Sequence, residues 1–118
     1  MRDDVRMNRN DHHQGRIARV WTGRVPDAKA AEYYDYLLSD GVSKIEATPS
    51  NRGVDVWTRS ANGVTEFIVT SYWDSMDVIH QYAGTDVEQV NHLPRDPEFL
   101  LEMEQKVRHY TVRVGRAH

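Results

Sequence analysis

The stretch that decides the fold of this 118-residue chain is residues 54–73, VDVWTRSANGVTEFIVTSYW. Both halves of the stretch are rich in valine, threonine and aromatic residues, which favour extended strands. Between the halves lies Asn62-Gly63, a pair that accepts the positive φ angles of a tight turn. The stretch therefore predicts an antiparallel β-hairpin.

On the N-terminal side of the hairpin, the pattern predicts one strand and one helix. Residues 17–25, IARVWTGRV, alternate in the manner of a strand. Apolar residues from Ala30 to Leu38 then recur at helical spacing. Asp27 is suited to cap the start of this helix, and Gly41 is suited to the left-handed conformation that ends one.

On the C-terminal side, the pattern predicts helical segments followed by a last strand. Asp74 or Ser75 can cap a helix that Gly84 ends. A second short helix is expected to begin at Asp86, and Asp96-Pro97-Glu98 is expected to begin a final helical turn. The chain then continues into KVRHYTVRV, residues 106–114, which reads as a fourth strand.

The order of these elements is strand, helix, strand, strand, helical segment, strand. This is the βαββαβ pattern of a ferredoxin-like domain. We therefore expect an α+β fold with an antiparallel four-stranded sheet over residues 16–118. Residues 1–15 are polar and lack a hydrophobic period, so they are expected to form a disordered tail.

The predicted strands carry apolar side chains on both faces. In the first strand, Ile17, Trp21 and Val25 share one face, and Ala18 and Val20 share the other. A ferredoxin-like sheet has helices on only one of its faces, so the second face needs another cover. We expect a second copy of the chain to provide it, in a homodimer that buries roughly 800 Å² per subunit.

Composition excludes several functional classes. The net charge of -3 leaves no basic excess to attract a nucleic-acid backbone. The chain has no cysteine, so thiolate nucleophiles and cysteine-ligated zinc or iron–sulfur clusters are excluded. No apolar run approaches the ~18 residues that a membrane span needs, and the N-terminus is polar, so we expect a cytoplasmic protein without membrane contact.

Charged and titratable residues inside the strand patterns allow two interpretations. They could line a pocket or an interface, or they could be rim arginines paired with Asp or Glu. His109 and Tyr110 occupy opposite faces of the last strand, so one of the two could line the dimer interface. The arginines in question are Arg19, Arg24, Arg108 and Arg113.

Two short segments resemble the antibiotic biosynthesis monooxygenase family. They are SYWDS, residues 71–75, at a strand end and helix start, and HYTV, residues 109–112, in the last strand. By element order the resemblance extends over residues 16–114. It implies a dimeric α+β barrel, in which the sheets of two ferredoxin-like subunits face each other, with a substrate pocket in each subunit between sheet and helices.

The resemblance further implies oxidation of an aromatic or polyketide-like small molecule by dioxygen, with no bound cofactor and no metal. In cofactor-independent members the substrate enolate reduces dioxygen, and the resulting peroxide loses water to leave a quinone. Such a pocket needs aromatic walls, donors for the anion and a group that accepts a proton. The candidate catalytic residues are His92, Tyr82 and His80. The candidate substrate-binding residues are Trp21, Tyr34, Phe67, Tyr72 and Trp73.

Two alternatives to this function stay open. Haem-degrading members of the same group place a pocket tryptophan nine residues after the strand-end tryptophan, and a haem-ligating histidine ten residues later. Counted from Trp73, these positions hold Tyr82 and His92, so His92 would be the haem ligand. The second alternative is a non-catalytic dimer that binds a small apolar ligand or serves in a stress response.

Overall fold

A computed structural model describes residues 13–90 and 93–116 of the chain. Its described residues form one antiparallel sheet with helices on one face. The strands are β1 (Ile17–Pro26), β2 (Asn51–Ala61), β3 (Val64–Trp73), β4 (Glu102–Met103) and β5 (Arg108–Thr111). The helices are α1 (Ala30–Tyr36), α2 (Ser43–Glu46), α3 (Met76–Ala83) and α4 (Asp96–Phe99).

The hairpin predicted from residues 54–73 is confirmed. Strands β2 and β3 pair from Ala61 opposite Val64 outward. The turn between them has φ angles of 56° at Asn62 and 80° at Gly63. Two successive positive φ values match the turn whose twist suits a two-residue hairpin, which explains the Asn-Gly pair.

The sheet has the strand order β2-β3-β1, followed by both β4 and β5 on the free edge of β1. Here β5 pairs with the first half of β1 and β4 with its second half, so together they form an interrupted fourth strand. The fold is therefore the predicted α+β, ferredoxin-like arrangement. The predicted last strand over residues 106–114 is shorter than expected, since only Arg108–Thr111 pairs as a strand. Just before it, the chain bends so that the Val107 amide bonds the Glu88 carbonyl at 2.8 Å.

The first helical segment differs from the prediction at both ends. Asp27 does not cap it; the residue lies in a 3₁₀ turn, and its carboxylate accepts a 2.7 Å hydrogen bond from the Thr65 hydroxyl. Gly41 does not end it either, because α1 continues through a π-helical stretch, Leu37–Val42, into α2. A Cβ at Gly41 would lie 3.1 Å from Leu37 and 3.2 Å from Leu93 side-chain carbons, so this glycine allows close packing.

The segment after β3 is only partly as predicted. Ser75 caps α3 through a hydrogen bond from the Val78 amide, and Gly84 ends the helix with a φ of 89°. The helix expected from Asp86 is wrong within the described residues: residues 86–89 form a turn, and Gln89 bridges to Lys106. Pairing with the chain before β5 replaces the helical hydrogen bonds that the local sequence favoured. The helical turn at Asp96-Pro97-Glu98 is confirmed as α4.

The helices pack against one face of the sheet through an aromatic core. Tyr33 stands edge-on to Phe67 with ring centroids 5.1 Å apart, and Phe99 packs against both Tyr33 and Tyr36. The opposite face is left open in the single chain. Among the described residues, no helix has the length and apolar character needed to cross a membrane. The predicted tail over residues 1–15 stays a prediction, since residues 1–12 lie outside the described part.

Candidate functional site

A cavity of about 340 Å³ lies between the sheet and the helices. Its volume falls within the range of small-molecule sites. Its floor is formed by helix-facing residues of β1 and β3, namely Arg19, Trp21, Val69 and Ser71. Its roof and walls come from the helical segments and the chain before β5, and include Tyr33, Leu37, Ile45, Tyr82, Leu93 and Val107.

Two polar residues of the floor, Arg19 and Ser71, belong to a cross-strand row that His109 completes beside the cavity. Arg19 lies opposite Ser71 of β3 on one side and opposite His109 of β5 on the other. Residues paired in this way point to the same face of the sheet, so all three side chains face the helices. His109 therefore belongs to the helix side of the sheet, and Tyr110 belongs to the open face.

Arg19 is a buried cation, with 7% of its surface exposed. Its Nη1 donates to the Val87 carbonyl and, at 3.0 Å, to Nε2 of His109, and its Nη2 donates to the Gln89 carbonyl at 3.4 Å. Burial lowers the pKa of the guanidinium, and an arginine side chain keeps its charge in proteins. The structure thus resolves the two interpretations of this residue: Arg19 is a pocket arginine.

His109 is held in one tautomer by this contact. Arginine has only donors, so Nε2 of His109 must be the acceptor and the ring proton of the neutral imidazole must be on Nδ1. Burial, and then the nearby charge of Arg19, lower the pKa of His109. The imidazole is therefore neutral near neutral pH, and it serves as an acceptor for Arg19.

Asp96 is the second buried charged residue that lines the cavity, with 3% of its surface exposed. Its Oδ1 accepts a 3.2 Å hydrogen bond from the Tyr33 hydroxyl, and its Oδ2 accepts a 3.0 Å bond from the Leu93 amide. Burial, and then the charge of Asp96, raise the pKa of Tyr33, so its hydroxyl stays protonated. In the described part of the chain, no ion pair joins Asp96 to Arg19. The cavity therefore holds a cation and a carboxylate at separate places.

The structure brings two of the predicted site residues directly to this cavity. Trp21 lies in its floor and Tyr82 in its wall. The Arg19 guanidinium lies 5.9 Å from the centre of the Tyr82 ring. Trp73 and Phe67 are buried next to the cavity without lining it; the Trp73 ring packs 4.6 Å from Tyr82. These two aromatic residues pack against the outer side of the residues that line the cavity.

The other predicted site residues lie elsewhere. Tyr34 is 43% exposed on the outer side of α1, and His80 is exposed on α3. Tyr72 is on the open side of the sheet, where its ring stacks on His13 at 3.8 Å and its hydroxyl donates to Asp55. The structure does not bring these three side chains to the cavity. His92 lies outside the described residues, so its role stays a prediction.

The residues that line the cavity do not by themselves account for a haem or metal site. Among the described lining residues none is a histidine. The described residues also contain no cluster of three or more His, Asp or Glu side chains that could hold a metal ion. The haem alternative therefore depends entirely on His92.

Gly23 makes room for the Trp21 ring on the floor of the cavity. A Cβ at this position would lie 2.4 Å from Cη2 and 2.8 Å from Cζ2 of Trp21. We expect Gly23→Ala to displace the indole and to lower the free energy of unfolding by about 1–3 kcal/mol, as overpacking does. Urea unfolding measures this loss. In a Trp21→Leu background the same change should cost much less, and an equal cost in both backgrounds would contradict the steric account.

Comparison with solved structures finds the same fold in other proteins. A candidate antibiotic biosynthesis monooxygenase from Bacillus cereus aligns with a TM-score of 0.64 and 16% identity, over 87% of this chain and 98% of that one. A Pseudomonas aeruginosa protein aligns with a TM-score of 0.57 and 12% identity, over 85% and 96% of the respective chains. The fold is shared. No protein-family model matches the sequence, and neither does any curated protein.

Proposed function

We propose that the chain is a small oxygenase that oxidises a planar aromatic or polyketide-like molecule with dioxygen, without a bound cofactor. One observation carries the proposal: the only two buried charged residues in the described ranges, Arg19 and Asp96, line the same largely apolar cavity. Burying a charge is costly, so two such residues at one cavity favour a reaction that separates charge there. The fold neighbour from Bacillus cereus is consistent with this class of reaction.

The proposed reaction uses the electrons of the substrate. A ring CH₂ that is conjugated with a carbonyl loses a proton, and Asp96 is the candidate acceptor. The resulting enolate transfers an electron to dioxygen, and the two radicals recombine with formation of a C–O bond. The peroxide then takes up a proton and loses water, so CH₂ and O₂ become C=O and H₂O.

Each part of the cavity has a role in this scheme. The guanidinium of Arg19 stabilises the enolate oxygen, a contribution that is typically worth about 10²–10³ in rate for a buried donor. Trp21 and Tyr82 offer flat surfaces for the rings. The helical roof shields one side of the cavity from water, which strengthens the electrostatic interactions there.

Oxygen uptake with a panel of naphthols and anthrones tests the proposal. We expect one quinone formed per dioxygen consumed, with no added cofactor and no effect of a chelator. Boiled protein corrects for spontaneous oxidation of the substrates. Flat traces from a protein that binds these compounds would reject the oxygenase and favour the non-catalytic ligand-binding dimer. A Soret shift with haemin that disappears in His92→Ala would favour haem degradation.

The homodimer is part of the same proposal, because the open face of the sheet carries an apolar patch. Trp57 is 50% exposed and Tyr110 is 51% exposed on this face, with Val20 and Ile68 between them. We expect a dimer at micromolar concentration by sedimentation equilibrium, and a folded monomer for Ile68→Glu. The matched control is Leu38→Glu, which places the same charge on the helical side and should leave the dimer intact. A monomeric parent chain would contradict the prediction.

A further inference from the structure

We propose that the cavity takes its aromatic ligand as an anion, with a carboxylate or ionised hydroxyl bound to Arg19 and the ring system lying over the floor. This inference deepens the proposed function and rests on it for the aromatic body of the ligand. It commits the site to a substrate class: planar aromatic molecules with one negatively charged oxygen substituent.

The hydrogen bonds of Arg19 leave room for such a group. A guanidinium has five N–H donors, and acceptors among the described residues take three of those of Arg19. All three acceptors are neutral: two are backbone carbonyls and one is the imidazole of His109. In the part of the chain that the structure describes, no carboxylate pairs with Arg19. Two donors therefore remain for a ligand oxygen.

Arg24, the other arginine inside β1, has different partners. Arg24, in the same strand but on the open face, pairs with Glu66 at 3.0 Å and with Glu102 at 3.2 Å. It is about one-third exposed, so its charge is also screened by water. The buried Arg19 has less help from solvent than Arg24, yet no carboxylate of the described residues pairs with it. A bound anion would supply the missing countercharge.

Asp96 sets the orientation of the ligand. It lines the cavity as a second charge that is not paired with Arg19, and it would repel an anionic group placed next to it. The favourable pose therefore has the charged oxygen at Arg19 and the neutral part of the ring system towards Asp96. In this pose a ring CH₂ or hydroxyl can face the carboxylate that is proposed to accept its proton.

Binding of two isosteric ligands tests the inference. The naphthalene rings of 2-naphthoate and 2-naphthamide are identical, and only the carboxylate is charged near neutral pH. By isothermal titration calorimetry we expect 2-naphthoate to bind at least about tenfold more tightly, since a charge-assisted hydrogen bond has about that effect. 2-Naphthol distinguishes the source of the anion: if an ionised hydroxyl is also accepted, its affinity rises as pH approaches the pKa of the phenol.

Two arginine variants locate the effect. Arg19→Gln should remove most of the preference for 2-naphthoate while changing the affinity for 2-naphthamide by less than about threefold, because only the anion loses a charged partner. Arg24→Gln removes an arginine from the same strand and should keep the full preference. Arg19 also donates to the backbone carbonyls of Val87 and Gln89, so the substitution could disturb the fold. Circular dichroism checks that the Arg19→Gln protein is folded.

The outcomes separate the inference from the proposed function. Equal affinities of the parent chain for 2-naphthoate and 2-naphthamide would overturn the inference, whatever the variants do. A preference for 2-naphthoate that survives in folded Arg19→Gln would also overturn it. An Arg19-dependent preference without any oxygen uptake would keep the anion site and reject the oxygenase. Oxygen uptake by a protein that binds only neutral ligands would keep the oxygenase and reject the anion site.

Discussion

Asp96→Asn should lower kcat for oxygen uptake by roughly 100-fold or more, because a positioned proton acceptor typically contributes 10²–10⁴ to a rate. The asparagine keeps the shape of the side chain, and its carbonyl can still accept a hydrogen bond from the Tyr33 hydroxyl or the Leu93 amide, both of which donate to Asp96. It cannot take a proton from the substrate. Initial rates in an oxygen electrode, at saturating substrate, measure the effect.

Tyr33→Phe is the matched control for Asp96→Asn. It removes the hydroxyl that bonds Oδ1 of Asp96 but leaves the carboxylate in place. Because the pKa of Tyr33 is raised by burial and by Asp96, its hydroxyl is a donor and not a base. We expect less than a tenfold loss of kcat, in keeping with the loss of one neutral donor. Full activity of a folded Asp96→Asn protein would remove Asp96 from the proposed mechanism.

Trp73→Ala should cost about 3–5 kcal/mol in the free energy of unfolding, the usual range for a buried aromatic replaced by alanine. Trp73 is 0% exposed, its ring packs on Tyr82, and its indole nitrogen donates to Ser71 at 2.9 Å. Urea unfolding followed by far-UV circular dichroism gives the value. For comparison, Tyr34→Ala removes an exposed aromatic ring and should cost about 1 kcal/mol or less. Similar costs for both variants would contradict the assigned packing.

The parts of the fold that local chemistry determines could be predicted from the sequence. The Asn-Gly pair specifies its turn because few other residues accept two positive φ angles in succession, and Ser75 caps α3 because its hydroxyl is correctly placed. The helix expected from Asp86 does not form, because contacts with residues distant in sequence occupy its backbone groups. Its capping pattern is correct, but its carbonyls bond to Arg19 and to the Val107 amide, and both partners are distant in sequence.

Only the aromatic residues of the candidate site could be predicted from the sequence. Strand alternation places Trp21 towards the helices, and helical spacing allows Tyr82 to face the sheet. The sequence signal for Arg19 is its position between Ile17 and Trp21 on one face of the strand. This position does not distinguish a pocket arginine from a rim arginine paired with Asp or Glu. Asp96 gave no such signal, since its position before Pro97 indicates only a helix start. Its contact with Tyr33 spans 63 residues.

The loop from Gly84 to Val90 is attached to Arg19 through main-chain oxygens, and this has a consequence for sequence divergence. The carbonyls of Val87 and Gln89 are present whatever side chains these positions carry. Exchanges of residue type in the loop should therefore be accepted readily, whereas an insertion or deletion would move both oxygens out of register with the guanidinium. Among related sequences, we expect the length of this loop to vary less than the identity of its residues.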